Sequence, residues 1–193
     1  MKKYYKYIIG AVVIIGLVIC FKSCIDKKES DVVIAYIGND FVNRELFEEN
    51  ISLITDKCTD ITGDGEFTVE LMEISFNETL GYADKSNSDK KLANAIGMGT
   101  ARLYIMDKNH VLSDKEDGVF ADISHLGEGI KNSAGQTIAI SLKGNANLKK
   151  IGIDSNEDLY LAIRIVSEVD KAMDKNIAKK DEAVRNMAEA ILS

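Results

Sequence analysis

The sequence has few of the residues that commonly rigidify the backbone, form disulfides or bind a metal. Its 193 residues include no proline, three cysteines and two histidines. Without proline, the turns must be made by glycine, asparagine and aspartate. Cys20 and Cys24 lie at one end of an apolar segment and Cys58 is alone in the body, which excludes a disulfide framework.

Sequence motifs for catalysis are also missing. His110 and His125 belong to no His-x-x-x-His or Cys-x-x-Cys arrangement, which argues against a catalytic zinc site. The chain has no Gly-x-Ser-x-Gly elbow, no Walker loop and no Gly-x-Gly-x-x-Gly motif after a strand. Carboxylates are plentiful, but the sequence does not show which of them meet. We therefore expect a protein that is not an enzyme and that uses no cofactor.

Positive charge is scarce outside the start of the chain. The whole sequence has a net charge of -7, yet residues 1–30 hold six lysines and only two acidic residues. Residues 31–193 consequently carry a net charge of -11. An acidic body repels phosphate backbones, so nucleic acid is not an expected partner.

One long apolar run is present, at residues 7–21, where fifteen residues carry no charge and lysines lie on both sides. A helix that crosses a bilayer needs about 20 such residues. The pattern predicts a short basic tail at residues 1–6, a transmembrane anchor at 7–25, a charged linker at 26–31 and an extracytoplasmic domain at 32–193. The lipid bilayer would then be the partner of residues 7–21.

A basic start followed by an apolar run is also typical of a cleaved signal peptide. The sequence offers no Ala-x-Ala cleavage site, and neither Cys20, after the bulky Ile19, nor Cys24, after Lys22 and Ser23, fits a lipidation site. We therefore expect a retained anchor in the cell membrane of a bacterium, with the N-terminus in the cytoplasm and the domain outside. Cleavage or lipidation of the segment is the alternative.

Strand and helix patterns alternate along the body. Residues 32–37 form a continuous apolar run, typical of a strand buried on both faces. Helices are predicted at 44–57, at 89–98 after a Ser88 cap, and at the C-terminus, while 107–135 has no regular pattern. Strands are predicted at 32–37, 67–76 with a bulge near Leu71, 101–106, 137–142 and 159–166. This order predicts an α/β fold with an open, mostly parallel sheet flanked by helices.

A glycine-rich segment imitates the start of a calcium-binding loop. Asp60 and Asp64 occupy positions 1 and 5 of an EF-hand loop, and Thr62 and Glu66 lie between and after them. Position 12, which should supply a bidentate glutamate, is Leu71. We therefore favour a tight turn into a strand over a metal site.

Polar side chains follow the first three predicted strands. Ligands of open parallel sheets bind beyond the carboxyl ends of the strands, where such groups would gather. The candidate ligand-binding residues are Asn39, Asp40, Asn77, Glu78, Asp107 and His110. The alternative is that these loop residues are polar only because they are solvated.

Three segments resemble bacterial extracellular solute-binding proteins of the type II periplasmic-binding-protein class. Residues 91–107 (KLANAIGMGTARLYIMD) are similar to a helix that ends in small residues and leads to a strand displaying a polar side chain to the ligand cleft. Residues 117–126 (DGVFADISHL) resemble the turn after that strand, and residues 136–142 (QTIAISL) the strand that enters the hinge. Family members have two lobes, whereas this body is long enough for one.

The resemblance implies a non-catalytic domain that binds a small molecule or a peptide. The alternative is a structural module that docks to another envelope or membrane protein and has no small-molecule ligand. A binding domain should show a concave pocket, whereas a docking module should show a contiguous apolar or charged patch.

Overall fold

The computed structural model describes residues 30–76, 82–114, 118–155 and 158–193. The predicted tail, the predicted anchor at 7–25 and most of the predicted linker lie outside these ranges. Within them, none of the helices combines the length and the apolar character needed to cross a membrane.

Six strands and seven helices alternate in the described ranges. The strands are β1 (Val32–Gly38), β2 (Val69–Ser75), β3 (Leu103–Asp107), β4 (Ile130–Lys131), β5 (Thr137–Ser141) and β6 (Leu159–Ile163). The helices are α1 (Arg44–Asn50), α2 (Ser52–Thr55), α3 (Tyr82–Gly97), α4 (Lys108–Asp114), α5 (Ala146–Lys150), α6 (Glu168–Met173) and α7 (Ile177–Leu192).

The strands form one six-stranded mixed sheet in the order β2-β1-β3-β6-β5-β4. β1 is parallel to both β2 and β3, whereas the pairs β3–β6, β6–β5 and β5–β4 are antiparallel. The prediction of a mostly parallel sheet is therefore wrong, although the α/β class is confirmed. The apolar runs of β5 and β6 indicate that both faces of these strands are covered by helices or loops. A strand can be buried in this way whether it is parallel or antiparallel to its neighbours, so the runs did not determine strand direction.

Each face of the sheet packs against its own set of helices. On one face, Ile34, Leu103 and Leu161 belong to the same buried cluster as Val184 and Met187 of α7. On the other, Ala35, Tyr104 and Ala162 belong to a cluster with Ala95 of α3 and Val111 of α4. The two apolar layers explain why β1 is almost entirely buried along its length.

Element boundaries differ from the sequence-based expectation in several places. The single helix predicted at 44–57 is divided into α1 and α2, and α3 begins at Tyr82 rather than after a cap at Ser88. The Ser88 hydroxyl is buried and donates to the Ser75 carbonyl at 2.6 Å, so this serine fastens α3 to β2. The region 107–135, predicted to be irregular, contains α4 and β4.

β2 has no bulge. Its pairing with β1 is continuous from Val32 opposite Val69 to Gly38 opposite Ser75. The two phases of alternation in the sequence arise because both faces of this strand contact core residues, with Leu71 on one face and Ile74 on the other.

Buried charges lie at the amino edge of the sheet, the edge at which β1, β2 and β3 begin. Arg102 precedes β3 and Arg164 follows the antiparallel β6, so the two side chains meet there, 3% and 7% exposed. Asp170 of α6 lies 2.6 Å from Arg164, and Asp181 of α7 lies 3.0 Å from Arg102. These ion pairs join two strands to the last two helices.

Candidate functional site

The carboxyl edge, where β1, β2 and β3 end, gathers part of the predicted ligand-binding set. Since these three strands are parallel, Asn39 and Asp40 after β1 lie at the same edge as Asp107 at the end of β3. Asn77 and Glu78, predicted for the end of β2, lie outside the described residues.

Asp107 and His110 form a hydrogen-bonded pair at this edge. The Asp107 Oδ2 atom is 2.6 Å from His110 Nδ1, and its Oδ1 accepts the backbone N–H groups of Asn109 and His110 at the start of α4. The His110 ring packs on Phe76, with ring centroids 4.3 Å apart. The pair therefore links the end of β3 to Phe76, the residue that follows β2.

The ionised form of Asp107 is favoured by these contacts. Burial on its own would raise the pKa of this carboxyl, but the hydrogen bonds from His110 and Asn109 and the charge of His110 outweigh it and lower the pKa. A carboxylate in this position orients the imidazole, as in an Asp–His dyad. The described part of the chain shows no serine, cysteine or threonine side chain bonded to that imidazole.

Asp40 lies elsewhere on the carboxyl edge, at the rim of a cavity of about 710 Å³. Its Oδ2 atom accepts a hydrogen bond of 2.8 Å from the Ser155 hydroxyl, which holds the loop after β1 in place. The cavity lies between the ends of β1 and β2 on one side and α3 on the other. Its lining residues are Tyr36, Asp40, Phe41, Glu73, Ser75, Asp84, Asn87, Ser88, Lys90, Lys91 and Asn94.

The two walls of the cavity differ in chemistry. On the sheet side, the Glu73 carboxylate is held 2.6 Å from Arg44 and also accepts the backbone N–H of Val42. On the α3 side, Asn87, Lys90, Lys91 and Asn94 carry donors that bond to no other side chain of the described ranges. Asp84 also lies on the α3 wall, so the cavity presents carboxylates on the sheet side opposite amide, ammonium and carboxylate groups on the helix.

An exposed aromatic residue completes the rim. Phe41 directly follows Asp40 and is 81% exposed. No other aromatic side chain for which the structure gives a burial is as exposed. An apolar ring beside polar groups is typical of small-molecule sites, in which apolar contact supplies area and polar groups fix orientation.

Most of the cavity escaped the sequence-based prediction. Of the four predicted residues that the structure describes, only Asp40 lines it, and Glu73, Phe41 and the α3 residues were not predicted. Asp84, Asn87, Lys91 and Asn94 recur at helical spacing, so a polar stripe was visible in the sequence. Such a stripe does not by itself distinguish a cavity wall from a solvated face.

In the turn that imitates a calcium loop, the carboxylates accept hydrogen bonds from backbone N–H groups of the same turn. Asp60 accepts the N–H groups of Gly63 and Gly65, each at 2.7 Å, and Asp64 accepts that of Glu66. These backbone bonds lower the pKa of Asp60. The Thr62 hydroxyl also bonds to Asp60. The described ranges hold no group of three or more His, Cys, Asp or Glu side chains placed to share a metal ion.

Cys58 should be a poorly reactive thiol. Burial raises its pKa from 9.0 to about 11, and its sulfur contacts the Ala183 carbonyl of α7 at 3.7 Å. We expect a chain with Cys20→Ser and Cys24→Ser to react with a thiol reagent at pH 8 roughly 100-fold more slowly when folded than in urea, because the reactive species is the thiolate. Equal rates in the two states would contradict the burial of this thiol.

Comparisons of the chain with models of protein families, with curated proteins and with solved structures found no match.

Proposed function

We propose that the chain is a non-catalytic binding domain whose ligand occupies the cavity at the carboxyl edge. The observation that carries this proposal is the cavity itself, since about 710 Å³ falls within the roughly 300–1,000 Å³ of known ligand pockets. Its position beyond parallel strands is that of ligands in other α/β sheets. The resemblance to solute-binding proteins agrees with the same role.

The cavity walls favour a ligand that carries groups of both signs. Lys90, Lys91, Asn87 and Asn94 can donate to a carboxylate or carbonyl, while Asp40 can accept from an ammonium group or hydroxyl. Phe41 can cover an apolar part of the same molecule. Amino acids and short peptides combine these features, whereas a purely anionic or purely apolar ligand would leave one wall unpaired.

The test is a thermal-shift screen of the full-length chain against amino acids, short peptides, sugars and divalent ions. A ligand present at 100 times its dissociation constant stabilises the folded state by about 2.7 kcal/mol, which raises Tm measurably. We expect a shift with amino acids or peptides. A folded chain that shows no shift with any of these compounds would overturn the proposal.

A cavity-filling variant makes the screen specific. We expect Asn94→Trp to abolish the shift, because Asn94 lines the cavity on α3 and indole would occupy the ligand volume. Ala93→Trp is the matched control, since Ala93 is its exposed neighbour on the same helix and does not line the cavity. A shift that survives Asn94→Trp unchanged would place the ligand elsewhere.

A second candidate function is docking to another protein. It is favoured by exposed apolar side chains on and near α6, where Met173 is 83% and Val169 64% exposed, and by Met98 at 77%. Val169→Glu and Met173→Glu should then weaken capture of the partner while leaving Tm shifts with small ligands unchanged.

We also propose that residues 7–21 attach the domain to a lipid bilayer, with the domain outside the cytoplasm. The uncharged run and its flanking lysines support this proposal. Protease added to intact cells should remove a C-terminal tag, and protection of that tag would reverse the orientation.

A further inference from the structure

β2 forms one edge of the sheet and differs from the strand at the opposite edge. β4 has two residues, whereas β2 has seven and keeps a continuous register with β1. Edge strands are usually kept short or interrupted by bulges, because their free backbone groups can pair with another chain. β2 has neither of these protections, although it carries Glu70 and Glu73, and charged side chains also discourage pairing with an uncharged or like-charged strand.

The hydrogen bonds to β1 show which backbone groups of β2 point outward. The Thr68 carbonyl accepts from Val32, and the Phe76 N–H donates to Gly38, each at 3.3 Å. Since successive residues of a strand direct their N–H and C=O groups to opposite sides, the odd-numbered residues point away from β1. These residues are Val69, Leu71, Glu73 and Ser75.

One of these outward groups is already used. The Ser75 carbonyl accepts the Ser88 hydroxyl at 2.6 Å, which confirms the direction in which the odd residues point. For Val69, Leu71 and Glu73, the described ranges contain no donor or acceptor that bonds to the outward backbone. Three consecutive outward positions therefore have backbone groups without a partner among the described residues.

Cavities flank this edge along its length. A cavity of about 440 Å³ is lined by Val69, Leu71 and, from α1, Phe47, among others. The cavity at the carboxyl edge continues the series at Glu73 and Ser75. A strand paired with β2 would pass both cavities, and its alternate side chains would be available to fill them.

The charge of the edge favours a basic occupant. Glu48 and Glu70 line the cavity of about 440 Å³, and Asp40 and Asp84 line the cavity of about 710 Å³, whose α3 wall also carries Lys90 and Lys91. Arg44 and Glu73 are paired with each other, so the charged groups that remain along the edge are four carboxylates and two lysines. Residues 31–193 carry a net charge of -11, so a second copy of the chain would be repelled as it approached. An extended segment bearing lysine or arginine would be attracted.

We propose that β2 binds an extended basic peptide segment as an added strand, with side chains of that segment in the two flanking cavities. This inference rests on the proposed function, since one end of the peptide would occupy the cavity of about 710 Å³ that is proposed to hold the ligand. Backbone bonds to Val69, Leu71 and Glu73 would supply affinity, and the acidic residues beside them would select positive charge.

The probe is a fluorescent peptide of alternating lysine and valine, blocked at both ends, whose binding to the full-length chain is measured by anisotropy. An alternating glutamate and valine peptide tests charge, and a lysine and valine peptide with alternate amides methylated tests backbone pairing without altering the protein. We expect binding of the first peptide alone. Equal binding of the methylated peptide would overturn strand addition.

Val69→Pro removes an outward N–H and keeps the hydrogen bonds to β1, because the Val69 N–H points away from β1. Proline is tolerated at such positions of an edge strand. We expect it to weaken binding about 10-fold or more. Val69→Thr is the control, since it changes the side chain but keeps the N–H. Hydrogen exchange gives an independent measurement: the amides of Leu71 and Glu73 should exchange faster than those of Met72 and Ile74 and slow when the peptide is added.

The two proposals fail in different ways. If amino acids shift Tm and the peptide does not bind, strand addition is overturned and the cavity function stands. Peptide binding that is lost in Asn94→Trp but kept in Val69→Pro also overturns strand addition, because the peptide is then only a cavity ligand. Self-association that Val69→Pro abolishes would identify a second copy as the occupant and overturn the basic peptide. Peptide binding lost in Val69→Pro, without any shift by cavity ligands, supports strand addition alone.

Discussion

Replacing Asp170 with alanine is expected to lower the free energy of unfolding by about 3–5 kcal/mol, because it leaves buried positive charge without its counter-ion. Asp170 Oδ2 lies 2.6 Å from Arg164 Nη1 and 3.8 Å from Arg102 Nη1. Both arginines are more than nine-tenths buried. Urea unfolding at pH 7 measures the loss.

Asp170 also caps α6, which adds to the expected cost. Its carboxylate accepts the backbone N–H and hydroxyl of Ser167, and the Ser167 hydroxyl accepts the Asp170 N–H, forming a capping box. Asp170→Asn keeps an oxygen for the cap but removes the charge, so we expect an intermediate loss. Glu168→Ala on the same helix breaks only the exposed pair with Lys171 and should cost less than about 1 kcal/mol. If Asp170→Ala cost no more than Glu168→Ala, the network would have no structural role.

The same carboxylate predicts a dependence of stability on pH. Burial on its own would raise the pKa of Asp170, but hydrogen bonds from Arg164 and Ser167 and the charge of Arg164 outweigh it and lower the pKa below 3.8. Since the folded-state pKa lies below the unfolded-state value, the stabilisation is complete above about pH 4 and is lost as the pH falls through the folded-state pKa. Asp170→Asn should therefore lose less stability than the unmodified chain between pH 5 and pH 2.5, and equal losses would contradict this assignment.

The sequence identified where most strands lie but not how they run. Five of the six strands in the described ranges coincide with predicted apolar segments, and β1 is buried on both faces, as its continuous apolar run predicts. The direction of β5 and β6 was mispredicted, because a continuous apolar run reports burial on both faces and carries no information on direction. Directions depend on connections, and the chain between β5 and β6 contains only the short α5.

For the candidate cavity, the sequence predicted only the edge of the sheet at which it lies. The rule that ligands bind beyond the carboxyl ends of parallel strands led to Asp40, and the structure places Asp40 at the rim of the cavity. Glu73 and the α3 residues were missed because they meet Asp40 only after folding, across stretches of sequence that contain no motif. The buried pair Arg102 and Arg164 was missed for the same reason, since charged residues are rarely buried without a partner and the partner is distant in sequence.

Asp31→Ala should destabilise the domain by about 3–5 kcal/mol, because three backbone N–H groups lose a charged acceptor. A hydrogen bond to a charged group contributes about 1.5–3 kcal/mol, and less where it is only partly buried, as at Thr62 and Thr68. The sequence suggested that Asp31 is the last residue of a solvated linker, yet it is 1% exposed. Its Oδ1 accepts the N–H groups of Ile61 and Thr62, both at 2.8 Å, and its Oδ2 accepts that of Thr68 at 2.7 Å.

These bonds give Asp31 a role that a neutral residue cannot fill. The carboxylate joins the start of β1 to residues 61 and 62 and to Thr68, the residue before β2. It therefore holds both ends of the glycine-containing segment 61–68, which leads into the edge strand. Asp31→Asn offers one acceptor oxygen and places an amide against backbone donors, so we expect nearly the same loss as for alanine. Asp56→Ala, at an exposed carboxylate that ends α2, should cost less than about 0.5 kcal/mol. A loss in Asp31→Ala no larger than in Asp56→Ala would show that residues 31, 61, 62 and 68 hold together without this carboxylate.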